Sequence, residues 1–436
     1  MRVCWGGWMM NCVVLVAFVT GFAWLGERSD GGERLRIGVA KRVITPEPLL
    51  PVSGGMGPTQ PATRALGELS VRAVVLEQGE TRMAIVSIDA LGFPSVLVER
   101  VTKRVPNIPP ENVLVGATHT HSAPDFYAFP DGRGGHSGDL GYIDQVCTWM
   151  AEAVNEAAAN VEVARLRSAV GEVRGQVAYN YYAIELYDPR VNVLQFVDSE
   201  DKTLATIVNY AIHPEVLGAE VGAVSPDLIG PLCERIEARA GGMALFMNGA
   251  QGGMITADNR DLASIADPVR GRWKDKREWS ECVRIGELLA DEALRVLEPA
   301  AVIDQPVLQC KHRLVKFPVE SDGLWGVVVH SPLKYPHNSD RSVTSRINLV
   351  QLGPARIATI PGEALPNIGF YLKRKMSGEQ NMLFGLTNDA FGYILTEVDY
   401  ASFERYEYVT RTSLGEQTGE ILMRNVLELD AEVSQR

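Results

Sequence analysis

Two apolar patterns alternate along most of this chain. In the first, short runs of consecutive or every-other apolar residues end at Gly, Pro, Asp or His. Runs of this kind at Arg36–Ala40, Val71–Leu76, Arg82–Ile88, Val113–His119, Leu204–Ile212 and Ala244–Met247 read as strands, with further strands expected around Val307, Ile347 and Ile357. In the second, apolar residues recur three or four apart. Val96–Lys103, Tyr142–Ala159 and Leu228–Ala240 follow it, as does the segment carrying Ile285, Leu288, Leu289, Ala293, Val296 and Leu297. Strands alternating with helices imply βαβ units, so the expected fold is α/β, with mixed, largely parallel sheets covered by helices. No internal repeat stands out in the sequence. Two long connections do: Phe129–Gly141, rich in glycine, and Asp258–Trp279, rich in charge. Loops of that length inside a compact domain are usually binding or lid segments.

The start of the chain breaks the alternation. Arg2 precedes an almost wholly apolar stretch, Trp8–Leu25, and the polar Glu27-Arg-Ser-Asp follows it. This is the shape of an export signal or an N-terminal membrane anchor over residues 1–30, since a globular helix of that length would carry a polar face. The remainder, residues 36–436, is expected to form one hydrolase-sized domain on the exported side, either free or held at a membrane. With 46% hydrophobic and 22% charged residues the chain buries a full core. A formal net charge of −12 excludes a nucleic-acid partner, because phosphate binding draws on clustered Lys and Arg. Cys147, Cys233, Cys282 and Cys310 have no framework spacing and read as buried free thiols.

Three of the strand-like runs lead straight into metal-ligand side chains. Val113-Leu-Val-Gly-Ala-Thr ends in His119-Thr-His121, Ala205-Thr-Ile-Val-Asn-Tyr-Ala-Ile ends in His213, and Arg356-Ile-Ala-Thr-Ile-Pro-Gly ends in Glu363. Sites in α/β sheets gather just beyond the carboxyl ends of strands, so these distant segments can converge on one cation. Two imidazoles and a carboxylate form a common catalytic zinc set that leaves positions open for water or substrate. In an extended segment His119 and His121 point to the same side, so both can reach one site.

The ordered motifs then resemble one family, the neutral/alkaline (non-lysosomal) ceramidases, in its N-terminal catalytic domain. Gly38-Val-Ala-Lys-Arg-Val-Ile-Thr-Pro46 resembles the family's opening strand, and Val86-Ser-Ile-Asp89 its next core strand. Thr118-His-Thr-His-Ser-Ala-Pro124, Tyr210-Ala-Ile-His-Pro214, Gly385-Leu-Thr-Asn-Asp-Ala-Phe-Gly-Tyr393 and Arg405-Tyr406-Glu407 resemble its successive site motifs. The resemblance implies a zinc-dependent amidase acting on the N-acyl bond of a lipid-like substrate. It implies that His119, His213, Glu363 and Tyr406 hold Zn2+ and that His121 and Tyr393 line the reacting centre.

The chain departs from the family where bonds are cut. Ile255, in Gly252-Gly-Met-Ile-Thr256, stands opposite the family's nucleophilic serine; Asn180-Tyr181 stands at the family's Asn-Arg pair; and no C-terminal immunoglobulin-like domain follows. The expectation is therefore an exported zinc hydrolase that cleaves an amide or ester with metal-bound water. His121 would serve as general acid or base, and backbone N–H groups of the Gly249–Gly253 turn as an oxyanion site. The alternatives are a zinc-containing binding protein that kept the metal cage and lost catalysis, and a metal-dependent phosphatase.

Overall fold

The computed structural model describes residues 33–264 and 273–434. The N-terminal segment expected to direct export lies outside the described residues. Within them, no helix is long and apolar enough to cross a membrane.

The chain folds as one motif used three times. The first module runs β1 (Arg36–Val43), β2 (Ser70–Gln78), β3 (Thr81–Ile88), α1 (Ser95–Thr102), β4 (Val113–Ala117), α2 (Leu140–Ala159). The second runs β5 (Arg165–Glu172), β6 (Arg190–Val197), β7 (Thr203–Tyr210), α3 (Ile229–Ala240), β8 (Met243–Asn248), α4 (Trp279–Leu297). The third runs β9 (Leu308–Pro318), β10 (Ser342–Leu352), β11 (Ala355–Thr359), α5 (Pro366–Lys375), β12 (Gln380–Phe384), α6 (Thr418–Ser434). In each sheet the spatial order is fourth, third, second, first strand. The first three strands pair antiparallel, the second and third through a short turn, and only the fourth, delivered by a helix, pairs parallel with the third.

Two expectations are corrected here. The sheets are mixed, as expected, but mainly antiparallel, because each module holds one βαβ crossover and two antiparallel pairings, the second made through a short turn. The Gly79 turn between β2 and β3, at φ 59°, is one of these, in the left-handed region that glycine enters freely. There is also an internal repeat. With the modules superposed in topology, Arg72-Ala-Val-Val-Leu-Glu, Arg190-Val-Asn-Val-Leu-Gln and Arg346-Ile-Asn-Leu-Val-Gln occupy the second strands. Asn112-Val-Leu-Val-Gly-Ala-Thr118 likewise matches Asn381-Met-Leu-Phe-Gly-Leu-Thr387 at the fourth.

The core follows from the strand alternation. One face of every sheet meets the others in a shared cluster that includes Val74, Ile85 and Leu114 from the first, Phe196, Ile207 and Leu245 from the second, and Val350, Ile357 and Phe384 from the third. The opposite faces are covered by each module's own two helices, so every central strand is buried on both sides. The four cysteines among the described residues are free; Cys147, Cys233 and Cys282 are buried.

Candidate metal centre

The carboxyl ends of the three parallel strand pairs face one another, and a buried amide holds them. Asn248, at the end of β8, donates to Thr118 O (3.0 Å) and Ile212 O (2.8 Å) and accepts from Ile212 N–H (3.2 Å). Asn209 similarly donates to Met247 O, Asn248 O and Leu383 O, reaching the third sheet. Buried backbone carbonyls at strand ends need such partners, so these two side chains fix how the ends meet.

From this junction the ligand-type residues emerge within a few positions of their strands: His119 after β4, His213 after β7 and Glu363 after β11. One comes from each module. His119 does not continue an extended strand as expected; its φ is 74°, a conformation costly for a residue with a Cβ. It is held there by its N–H on Ala90 O (2.9 Å) and by its ring Nδ1 on Leu91 O (2.5 Å). The His213 ring is fixed in the same way, with Nδ1 2.9 Å from Ile255 O. A carbonyl only accepts, so each Nδ1 carries the proton and each Nε2 turns a lone pair inward.

Those lone pairs meet Glu363. Its Oε2 lies 3.3 Å from His119 Nε2 and 3.2 Å from His213 Nε2, and all three side chains are buried. Glu363 Oε2, His213 Nε2 and His121 Nε2 have no hydrogen-bond partner. Ligand atoms of His119, His121 and His213 lie within 4.8 Å of one another. Burial pushes the Glu363 carboxyl up, but the His119 and His213 rings beside it hold it well below the usual carboxylate range. Burial disfavours a proton on His213, and the adjacent carboxylate outweighs this and raises its pKa. Bare nitrogen lone pairs and an ionised carboxylate, orphaned together in a dry pocket, are the donor set of a divalent cation site. The residues present fit a zinc-type ion.

His121 stands at the edge of this set, its ring centroid 4.8 Å from that of His119. Burial, with the His119 and His213 rings nearby, lowers its pKa well below the ordinary imidazole value, so it is neutral at pH 7. The two tyrosines separate. Tyr393 sits directly across from Glu363 in a short parallel strand pair, which puts their side chains on one face, and it lines the same cavity. Tyr406 packs against Tyr182 (5.4 Å between centroids) and Phe403 (5.3 Å) and is not on the cavity wall. The expected placement of Tyr406 beside the other ligands is thus corrected: the phenol next to Glu363 is Tyr393. Residues 407–411 are helical, so positions two apart face opposite ways, and it is Tyr408 that faces the cavity. Tyr127 lines it too. Neither was singled out in the sequence, which carries no cue to the phase of so short a helix.

In the glycine-rich turn after β8, two of the N–H groups are already engaged. Gly252 N–H donates to Ala364 O (2.9 Å) and Gly249 N–H to Asn248 Oδ1 (2.9 Å), so neither is free for an oxyanion. A Cβ on Gly252 would lie 2.1 Å from Glu363 O, so glycine is needed for close packing under the carboxylate. Ile255 is wholly buried in apolar core, and no hydroxyl takes the serine position. Met254, at φ 64°, presents its Sδ to the Tyr393 hydroxyl at 3.1 Å. Asn180, at the position of the family's Asn-Arg pair, caps the N–H groups of Tyr182 and Ala183.

Above the cluster opens a cavity whose lining includes His119, His121 and Glu363 at the base and Leu91, Leu324, Val327, Val328, Val343, Phe391 and Leu414 around it. An apolar pocket with a few convergent polar groups is the form of a small-molecule site.

Fold and cluster together define a mixed α/β protein with a histidine–carboxylate centre of metal-binding type. No protein-family model and no curated protein matches the sequence. Among solved structures, the fold is that of neutral ceramidase from Pseudomonas aeruginosa, with a TM-score of 0.75 over 93% of this chain and 75% of that one, at 17% identity. A ceramidase complexed with C2 is similar to the same degree, with a TM-score of 0.74, 17% identity and coverage of 93% and 76%.

Proposed function

We propose that this chain is an exported, zinc-dependent hydrolase that cleaves an N-acyl amide or an ester of a lipid-like substrate. The observation that carries the reading is the meeting of two bare imidazole nitrogens with an ionised, unpartnered carboxylate at the base of an apolar cavity. His119, His213 and Glu363 would hold the ion, with Tyr393 as the adjacent phenol. Zinc bound there supplies Lewis acidity at a carbonyl and a water whose pKa falls from about 16 to about 7. The protein's own part is threefold. The apolar wall of Leu324, Val327, Val328 and Leu414 places an acyl chain and excludes water. Neutral His121, its buried Nε2 free of partners, takes the proton from the attacking water and returns it to the leaving group. Ile255 offers no nucleophile, so the attacking oxygen is water's.

The test is hydrolysis of a fluorogenic N-acyl substrate by the purified chain, paired with metal analysis. Turnover should vanish with chelator and return with zinc; a metal-free protein with undiminished turnover would refute the reading. A second reading, a metal-holding binding protein without catalysis, is favoured by the hydrogen bond that ties the Tyr393 hydroxyl to Met254. Stoichiometric zinc with no turnover on amides, esters or phosphates would establish it.

A further inference from the structure

The cleft does not end at the apolar wall. Met56, Phe129 and Val327 line both the inner cavity and an outer recess, so the two adjoin. The outer part has another chemistry. His136 and His330, both exposed, line it. With the metal cluster, five of the chain's seven histidines thus lie along one cleft. Gly57, Gly132 and Gly326 leave its walls open, with nothing within 4 Å of where a Cβ would stand. An aromatic plate joins the two parts: Tyr127 and Phe129 stack at 4.7 Å and 15°.

This plate is preformed. Asp125 is buried, and its carboxylate accepts from Tyr127 N–H (2.9 Å), Phe129 N–H (3.3 Å) and the Ser137 hydroxyl (2.5 Å). Between them Ala128 is held at φ 48°, a left-handed conformation that turns Phe129 toward the recess. The glycine-rich loop is therefore a braced wall.

We propose that the outer recess holds the sugar head of an amphiphile whose apolar tail fills the inner cavity. A sugar ring offers a C–H face to an aromatic plate and many hydroxyls to the ring nitrogens of the two histidines. A phosphate head would meet the carboxylates of Asp131 and Asp322, the latter already paired with Arg341, and no Lys or Arg on the lining. A quaternary ammonium head would need a cage of rings, and only Phe129 reaches this part. The proposal rests on the hydrolase reading for the fate of the ligand, and its test is one of binding.

Calorimetry on the full chain would compare octyl glucoside, octyl phosphate and octanol, each below micelle formation. The glucoside should bind about ten-fold tighter than octanol, as two or three added hydrogen bonds provide. Gly326→Trp, which fills open space on a helix that tolerates the exchange, should abolish that preference while octanol binding stays within about two-fold. The double variant His136→Ala/His330→Ala should weaken the glucoside alone. Equal affinity for glucoside and octanol, tighter binding of octyl phosphate, or an equal loss of both ligands in Gly326→Trp would each overturn the proposal. Failure of the hydrolase reading would show separately, as missing metal-dependent turnover beside an intact preference for the glucoside.

Discussion

The base of the cleft and its outer wall are built by contrasting means. At the base, His119, His213 and Glu363 are buried, one from each module, and the two imidazoles are oriented by hydrogen bonds to backbone carbonyls. The outer wall comes from parts the modules do not share: the loop braced by Asp125 and the helix Asp322–His330. That helix buries only Leu324 and leaves Val329 42% exposed. The repeated portion of the fold thus carries the candidate metal ligands, while the unrepeated portion lines the outer recess. Chemistry and specificity are separable here by position in the motif.

Four substitutions test that separation, in order of expected effect. His213→Ala removes a ligand from the base, and elemental analysis should find metal reduced from one per chain to under about a tenth, since a site short of a donor loses orders of magnitude in affinity. Retained stoichiometric metal would break the contrast at its root. Asn248→Leu takes away the amide that joins the strand ends and leaves Thr118 O and Ile212 O without it; denaturant unfolding should show a loss of about 3 kcal/mol. Val327→Trp, where inner cavity and outer recess meet, should weaken apolar ligands about ten-fold with metal content unchanged. A fall in metal would mean that wall and base are coupled. Thr256→Ala should change turnover by less than about two-fold, because Thr256 lies in the strand pairing with Tyr179 and off the cavity wall. Abolished turnover at full metal content would identify Thr256 as the nucleophile.

How far the sequence foretold this depends on which part is considered. His119, His121, His213 and Glu363 were legible because an apolar run that halts at a ligand residue marks a strand end, and the strands here do halt there. Helices with strong periodicity, such as α2 and α4, were equally plain. The repeat was not, because what it conserves is burial and pairing, and only scattered residues such as Arg72, Arg190 and Arg346 coincide. Strand direction was missed for a related reason: periodicity reports burial, and a strand buried on both faces reads alike in either sense. β5 escaped notice because its arginines, at 165 and 167, break the apolar run. Tyr408 needed three dimensions, since its place depends on the phase of a five-residue helix, and so did the setting of Tyr393 directly beside Glu363, which rests on a two-residue strand pair.

Because one ligand comes from each module, no third of the chain can hold the ion alone. A bound cation would act as a rivet through three plates, and its retention would certify that all three are in register. Nicked or partly opened molecules would shed it and fall silent before they lost their shape. Conversely, free zinc at about a hundred times its dissociation constant would add about 2.7 kcal/mol to the resistance of the whole assembly against unfolding.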